Sequence, residues 1–137
     1  MGSKICHDLA VIGAGSMGSG LVRSLIDSGA LPTDSIIVAD VDENCLETLA
    51  ADCGVATTTD NTAAIEKAQM VLLAVKPQVL DGVLAEIGSV VGDRCVVSIA
   101  AGVPISTYQA SLGAGTPIVR VMPNILCTVG EAASAYT

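Results

Sequence analysis

A doubly wound α/β sheet is the fold class this sequence predicts, and three observations predict it. Apolar runs of strand length alternate with stretches of helical period along the chain. The runs are continuous rather than alternating, as in "LAVIG" and "MVLLAV", the pattern of parallel strands covered on both faces. Of the 137 residues 51% are apolar, yet only two are aromatic, both tyrosines, so the core must be built from Val, Ile, Leu and Ala. The length is that of one domain, 1–137, large enough to bury such a core.

Each element has its own signal. "LAVIG" (9–13) reads as the first strand, and Ser16 to Ser28 sets Met17, Leu21 and Leu25 along one side of a helix that Gly29 stops. "IIVAD" (36–40) is the second strand. Asp42 is placed to cap a helix from Glu43 to about Asp52, which Gly54 stops. "GVAT" (54–57) is a short third strand, and a short helix runs from Thr62 to Lys67. "MVLLAV" (70–75) precedes a helix from Pro77, an apt first helical residue, to about Val91. "CVVSIA" (95–100) and "PIVRVM" (117–122) are the last strands, joined by the helical "PISTYQASL" (104–112). Right-handed crossovers then give a parallel sheet of order 3-2-1-4-5-6, with a ligand crevice where that order reverses. After Pro123, "NILCTVGEAASAYT" has weak periodicity and reads as the start of a further region.

Charge and cysteine usage narrow the function. The formal net charge is −8, the pI is about 4.2 and no window clusters Lys or Arg, which argues against nucleic acid or an anionic membrane and for a small ligand. Cys6, Cys45, Cys53, Cys95 and Cys127 stand singly, so neither a disulfide framework nor a metal site is expected. They read as small core residues in a reducing cytoplasm. No stretch has the leader pattern of secretion or the roughly 20 apolar residues of a membrane span. The leading "MGS" reads as a tag remnant that contributes nothing to the fold.

The chemistry concentrates in "VIGAGSMGSG" (11–20). Gly13, Gly15 and Gly18 match G-x-G-x-x-G between a strand and a helix, the context in which that pattern binds a dinucleotide. Gly13 permits the tight turn, Gly15 lets the backbone approach a pyrophosphate, and Gly18 lets helix and strand pack closely. Amides around Ser16 and Met17 at the helix N-terminus would hold the phosphates, and Ala14 belongs to the same cofactor-binding turn. By itself the pattern is also that of a turn that binds nothing. Asp40, 22 residues beyond Gly18, is placed to accept adenosine ribose hydroxyls and to repel the extra phosphate of NADP. The alternative use of Asp40, helix capping, suits Asp42 better. "AVKPQ" (74–78) forms an extended lip from Ala74 to Lys76 ahead of Pro77, although Lys76 taken alone is equally a solvated loop charge. "SIAAG" (98–102) sets small residues on the same rim, which either admits a flat ring or serves close helix packing. His7, the sole histidine, reads as structural, and spacing assigns Arg120 no partner.

"IGAGSMG", "AVKPQ", "SIAAGV" and "RVMPN" in this order resemble the N-terminal dinucleotide-binding domain of the pyrroline-5-carboxylate reductases. The last three motifs set the chain apart from the hydroxyacid, prephenate and 6-phosphogluconate dehydrogenases. The resemblance implies a Rossmann-type domain of an NAD(P)H-dependent oxidoreductase that reduces the imine 1-pyrroline-5-carboxylate to proline. It implies that Gly13 to Gly18 hold the pyrophosphate and that Asn61 contacts the adenosine part. It further implies that Ala74, Val75, Lys76 and Pro77 line the nicotinamide ribose, with Ala100, Ala101 and Gly102 edging the nicotinamide and Pro123 and Asn124 beneath the ring. Family members carry a second, helical domain that intertwines two subunits into a homo-oligomer and supplies substrate and proton-donating groups. This chain alone is then expected to bind cofactor with little or no reduction. Two departures stand out: "MPNILC" replaces the usual Met-Pro-Asn-Thr-Pro, and Asp40 favours NAD(H) where many members use NADP(H). Alternatives are a related dehydrogenase, an F420-dependent NADP reductase, or a nucleotide-binding module without catalysis. The gene downstream of Thr137 separates these, since about a hundred further helical residues would favour the enzyme. An apolar patch near 125–137 is also expected.

Overall fold

The computed structural model describes residues 7–100, 102–122 and 135–136. Strand β1 (His7–Ile12) lies at the centre, paired in parallel with β2 (Ile36–Ala39) on one side and β4 (Ala68–Leu73) on the other. β3 (Ala56–Thr58) continues the sheet beyond β2, and β5 (Cys95–Ser98) and β6 (Ile118–Met122) continue it beyond β4, giving the expected order with all six strands parallel. A seventh strand, β7 (Ala135–Tyr136), was not anticipated. It runs antiparallel to β6 with Tyr136 opposite Val121, and two residues are too few to leave a periodic signal.

The continuous apolar character of β1 follows from its being covered on both sides. Leu9 and Val11 face a cluster with Val22 of α1 (Ser16–Asp27) and with Leu46 and Leu49 of α2 (Glu43–Cys53). Ala10 and Ile12 face the other cluster, closed by α3 (Asn61–Glu66), α4 (Pro77–Ile87) and α5 (Ile105–Leu112). Successive residues of a strand point to opposite faces, so one run feeds two cores. Each fully buried Leu or Ile contributes on the order of 1.5–3 kcal/mol of transfer free energy.

Most boundaries lie close to expectation, and the differences have local causes. α4 stops at Ile87 rather than near Val91. The Arg94 guanidinium takes the carbonyls of Val90 and Val91 at 2.9 and 3.3 Å, and those of Ala68 and Glu66 at 2.7 and 3.3 Å, so the chain turns back toward the foot of β4. β4 begins at Ala68 because that residue pairs with His7. β4 and β5 end at Leu73 and Ser98, earlier than the apolar runs, which leaves residues 74–76 and 99–100 as lips beyond the sheet.

The face that carries α1 and α2 is covered over β1 to β3. Beside α1 it opens into an apolar groove of about 310 Å³ lined by Leu21, Leu25, Leu72, Val97, Val121 and Met70, the last 41% exposed. The apolar patch expected near 125–137 falls largely outside the described residues, and this groove lies elsewhere. Cys45 and Cys53 are half-buried against the α1/α2 cluster and Cys95 is half-buried, so these three are partly rather than fully interior; Cys6 and Cys127 lie outside the described residues. Among the described residues, no helix is long and apolar enough to cross a membrane.

Candidate functional site

The crossover through α3 carries the chain from β3 back past β1, so β1 and β4 lead into connections that leave in opposite directions. The last tie between them is the Ala74 amide to Ile12 O, and on the other side of β1 the Gly13 amide donates to Ala39 O of β2, both 2.8 Å. Beyond them lies a cleft of about 530 Å³ lined by Gly15, Ser16 and Met17 on one side and by Ala74, Val75, Lys76, Pro77, Ile99 and Ala100 on the other.

The three glycines differ in what surrounds them. Gly13 has φ +111°, and a Cβ there would lie 2.6 Å from Ala74 O, so both its conformation and its space exclude a side chain. A Cβ at Gly18 would collide with the Gly13 carbonyl and sit 3.2 Å from Ala74 Cβ, so helix and turn close without a gap. At Gly15 a Cβ would meet nothing within 4 Å, which leaves its surface open. Gly15 is the N-cap of α1 and has no side chain to satisfy the first-turn amides, and no acidic residue lies in that turn. Those amides and the positive end of the helix therefore present an anion-binding surface.

Asp40 follows β2 and is half-buried. One carboxylate oxygen accepts the Ala14 amide at 2.7 Å and the other accepts the Asp42 amide at 2.9 Å. Asp42 caps α2 by accepting from the Asn44 and Cys45 amides at 3.0 and 3.4 Å. Asp40 is thus free of helix capping but engaged with the glycine turn, and each of its oxygens keeps a second lone pair for a ligand. Between the N-termini of α1 and α2 lies a second concavity of about 450 Å³, lined by Gly15, Ser16, Ser19, Arg23, Asn44 and Thr48 among others. Arg23 is paired there with Asp52 at 2.8 Å. Cys45 borders the same space, and its hydrogen bond to the Asp42 carboxylate pushes the thiol pKa up, away from nucleophilic use.

Of the remaining sequence-predicted residues, Lys76 is the N-cap of α4 with extended backbone and Pro77 is its first residue. Gly102 is exposed with φ +73°. Asn61 starts α3, away from the residues that line the cleft, and its side-chain amide donates to Glu86 at 2.7 Å. Ala101, Pro123 and Asn124 lie outside the described residues. His7 lies in β1, and its Nδ1 donates to Asp34 O at 3.2 Å. Among the described residues, no group of three or more metal-ligating side chains occurs.

Sequence reasoning missed Ile99 as a lining residue and missed what holds its neighbour Ala100. The Ala100 amide donates to Ser98 Oγ at 3.3 Å, and the Ser98 and Tyr108 hydroxyls share a buried hydrogen bond of 2.6 Å. Arg120 donates to Val103 O at 2.6 Å. The one available signal was Tyr108 itself, an aromatic in a chain nearly without them.

Residues 8–102 match the family described as NADP oxidoreductase, coenzyme F420-dependent. The chain is 45% identical over 127 residues to a pyrroline-5-carboxylate reductase of Methanosarcina acetivorans, which covers 92% of this chain and 47% of that protein. It is 38% identical over 133 residues to the pyrroline-5-carboxylate reductase of Corynebacterium melassecola, covering 94% and 49% respectively. The solved structure of a pyrroline-5-carboxylate reductase from Coxiella burnetii aligns with a TM-score of 0.89 at 32% identity, over 96% of this chain and 49% of that one. The chain spans about half the length of the curated relatives it matches.

Proposed function

The chain belongs to the family described as NADP oxidoreductase, coenzyme F420-dependent, and we propose that it is the cofactor-binding half of a reductase that reduces 1-pyrroline-5-carboxylate to proline. The observation that carries this reading is the open N-terminus of α1, where Gly15 and Ser16 line both concavities. A ligand with two ends joined through phosphates fits that arrangement, with its phosphates on the helix amides and one end in each concavity.

A nicotinamide dinucleotide, when bound, supplies the hydride for an imine carbon. The chain's own part is binding and orientation. The amides of Ser16 and Met17, beside the open surface of Gly15, hold the pyrophosphate, while Ala14 keeps the turn tied to Asp40. Asp40 accepts from the adenosine ribose hydroxyls with its remaining lone pairs while it keeps the Ala14 amide. Ala74 to Pro77 line the nicotinamide ribose, and the small side chain of Ala100 leaves room for the ring, with Gly102 beyond it. Asn61 reaches the adenosine only by giving up Glu86, and the family resemblance alone assigns Pro123 and Asn124, outside the described residues, to the ring. The negative charge of Asp40 makes NADH the better ligand, with NADPH weaker. Groups that hold the substrate carboxylate and protonate the imine are assigned to the second half that the relatives carry, as is the oligomer contact. The setting is cytoplasmic.

Calorimetric titration of the purified chain with NADH and NADPH tests the site. Binding of both, with NADH tighter, is expected; tighter NADPH removes the reading of Asp40. The chain alone is expected to turn over 1-pyrroline-5-carboxylate negligibly, and a rate near that of a full-length relative would overturn that statement. The family's description favours a second reading, in which the electron partner of NADP(H) is the deazaflavin coenzyme F420. Assaying the full-length gene product with each substrate decides between the two.

A further inference from the structure

Tyr108 is the residue that the cofactor reading leaves unexplained. It is fully buried on α5, in a core otherwise made of aliphatic side chains, where phenylalanine would bury the same ring without a polar group. A buried hydroxyl costs free energy unless it is bonded, so its retention calls for a partner that uses it. That partner is Ser98 Oγ at 2.6 Å, itself 1% exposed at the last position of β5. Ser98 Oγ in turn accepts the Ala100 amide, two residues further on, where the chain has left the sheet and lines the cleft. Ile99, between them, donates its amide to Leu73 O at 3.2 Å, and Val103 O accepts from Arg120 on β6. Ala100 is therefore held through the Tyr108–Ser98 pair and Val103 by Arg120, and Gly102 lies in the left-handed region.

We propose that Tyr108, acting through Ser98, is a positioning residue that fixes the Ala100 edge of the cleft and so sets the width of the slot for the nicotinamide ring. The inference rests on the cofactor reading for the identity of the ring, but the brace itself is a property of the chain. The pair stands on the side of the cleft away from the glycine turn and Asp40. Its loss is therefore felt by the nicotinamide end of a dinucleotide and not by the adenosine and phosphate end.

The test compares NADH with ADP-ribose, which keeps the adenosine, both riboses and the pyrophosphate but lacks nicotinamide. Tyr108→Phe removes only the hydroxyl and is expected to weaken NADH about three- to tenfold while leaving ADP-ribose within about twofold. Equal loss for both ligands, or no loss for NADH, overturns the proposal. Ser98→Ala, which also removes the acceptor of the Ala100 amide, is expected to show the same selectivity with a larger loss, and it carries the test if Tyr108→Phe does not fold. Amide hydrogen exchange without ligand separates the brace from the cofactor reading. Exchange at Ala100 is expected to quicken about tenfold in Tyr108→Phe relative to Val11 in β1, and unchanged exchange overturns the brace. If the unmodified chain binds neither NADH nor ADP-ribose, the cofactor reading falls, and the exchange result still decides the brace.

Discussion

Along the wall built from β1, its glycine turn and α1, what faces the cleft is largely main chain: the open surface of Gly15 and the first-turn amides of α1. On the opposite wall Ala74 is tied by its amide to Ile12 O, whereas Ala100 is held by the Ser98 hydroxyl, itself bonded to Tyr108, and Val103 by Arg120. One wall is thus a surface made by local backbone geometry, and the Ala100 edge facing it is placed by contacts from distant parts of the chain. The first wall is tight at Gly13 and Gly18, where there is no room for a side chain, and open at Gly15. The second is rigid only as long as its hydrogen bonds persist.

The sharpest way to break this contrast is at Gly13. Gly13→Ala combines a φ of +111° with a Cβ 2.6 Å from Ala74 O, and it is expected to cost at least about 2 kcal/mol in urea unfolding. A stability loss under about 0.5 kcal/mol would show that the turn relaxes and that the first wall is not tight there. Asp40→Ala comes next, because it leaves the Ala14 and Asp42 amides without their acceptor, at an expected cost of about 1–3 kcal/mol by the same measurement. Asp40→Ser removes the charge and keeps a polar atom, and it is expected to shift the ratio of NADPH to NADH affinity about tenfold toward NADPH. An unchanged ratio assigns Asp40 to holding the turn and nothing more.

Gly15→Ala separates binding from folding on the same wall. With φ −71° and open space around the added methyl, its unfolding midpoint is expected to stay within the equivalent of about 0.5 kcal/mol. Dinucleotide affinity, read by calorimetry, is expected to fall about tenfold because the methyl stands where the phosphates approach. Retained affinity would move the phosphates off Gly15.

The smallest effect is a pH dependence at α3, away from both walls. The Thr62 hydroxyl, at 2.7 Å, and then the Ala63 amide hold the Asp60 carboxyl below the usual aspartate range. A carboxyl whose pKa is lower in the folded state stabilises above its unfolded value, and that contribution fades as pH falls through the lower folded value. Unfolding midpoints of the parent chain and of Asp60→Asn should therefore differ near neutrality and converge in acid. A difference that grows on acidification contradicts the capping assignment.

Much of this molecule was legible before any coordinates. The strand runs, the stops at Gly29 and Gly54, the Asp42 cap, the Pro77 start and the reversal of strand order all follow from local chemistry, because covered parallel strands and capped helices leave their causes in adjacent residues. The glycine turn was legible for the same reason. β7 was not, since a two-residue strand exists only through its pairing with β6. Nor was the early end of α4, which Arg94 dictates by drawing the Val90 and Val91 carbonyls toward the foot of β4.

The doubly wound sheet, the reversal of strand order and the tight turn at Gly13 and Gly18 follow from the sequence by itself, because each depends on neighbours a few positions away. Tertiary structure decided that Asp40 grips the Ala14 amide, that Asn61 is tied to Glu86, and that Tyr108 meets Ser98 across the α5–β5 interface. These bonds join residues 10 to 26 positions apart. A hydrogen bond acts only within about 3 Å, so such pairings exist only once the sheet and its covering helices have brought the two ends together.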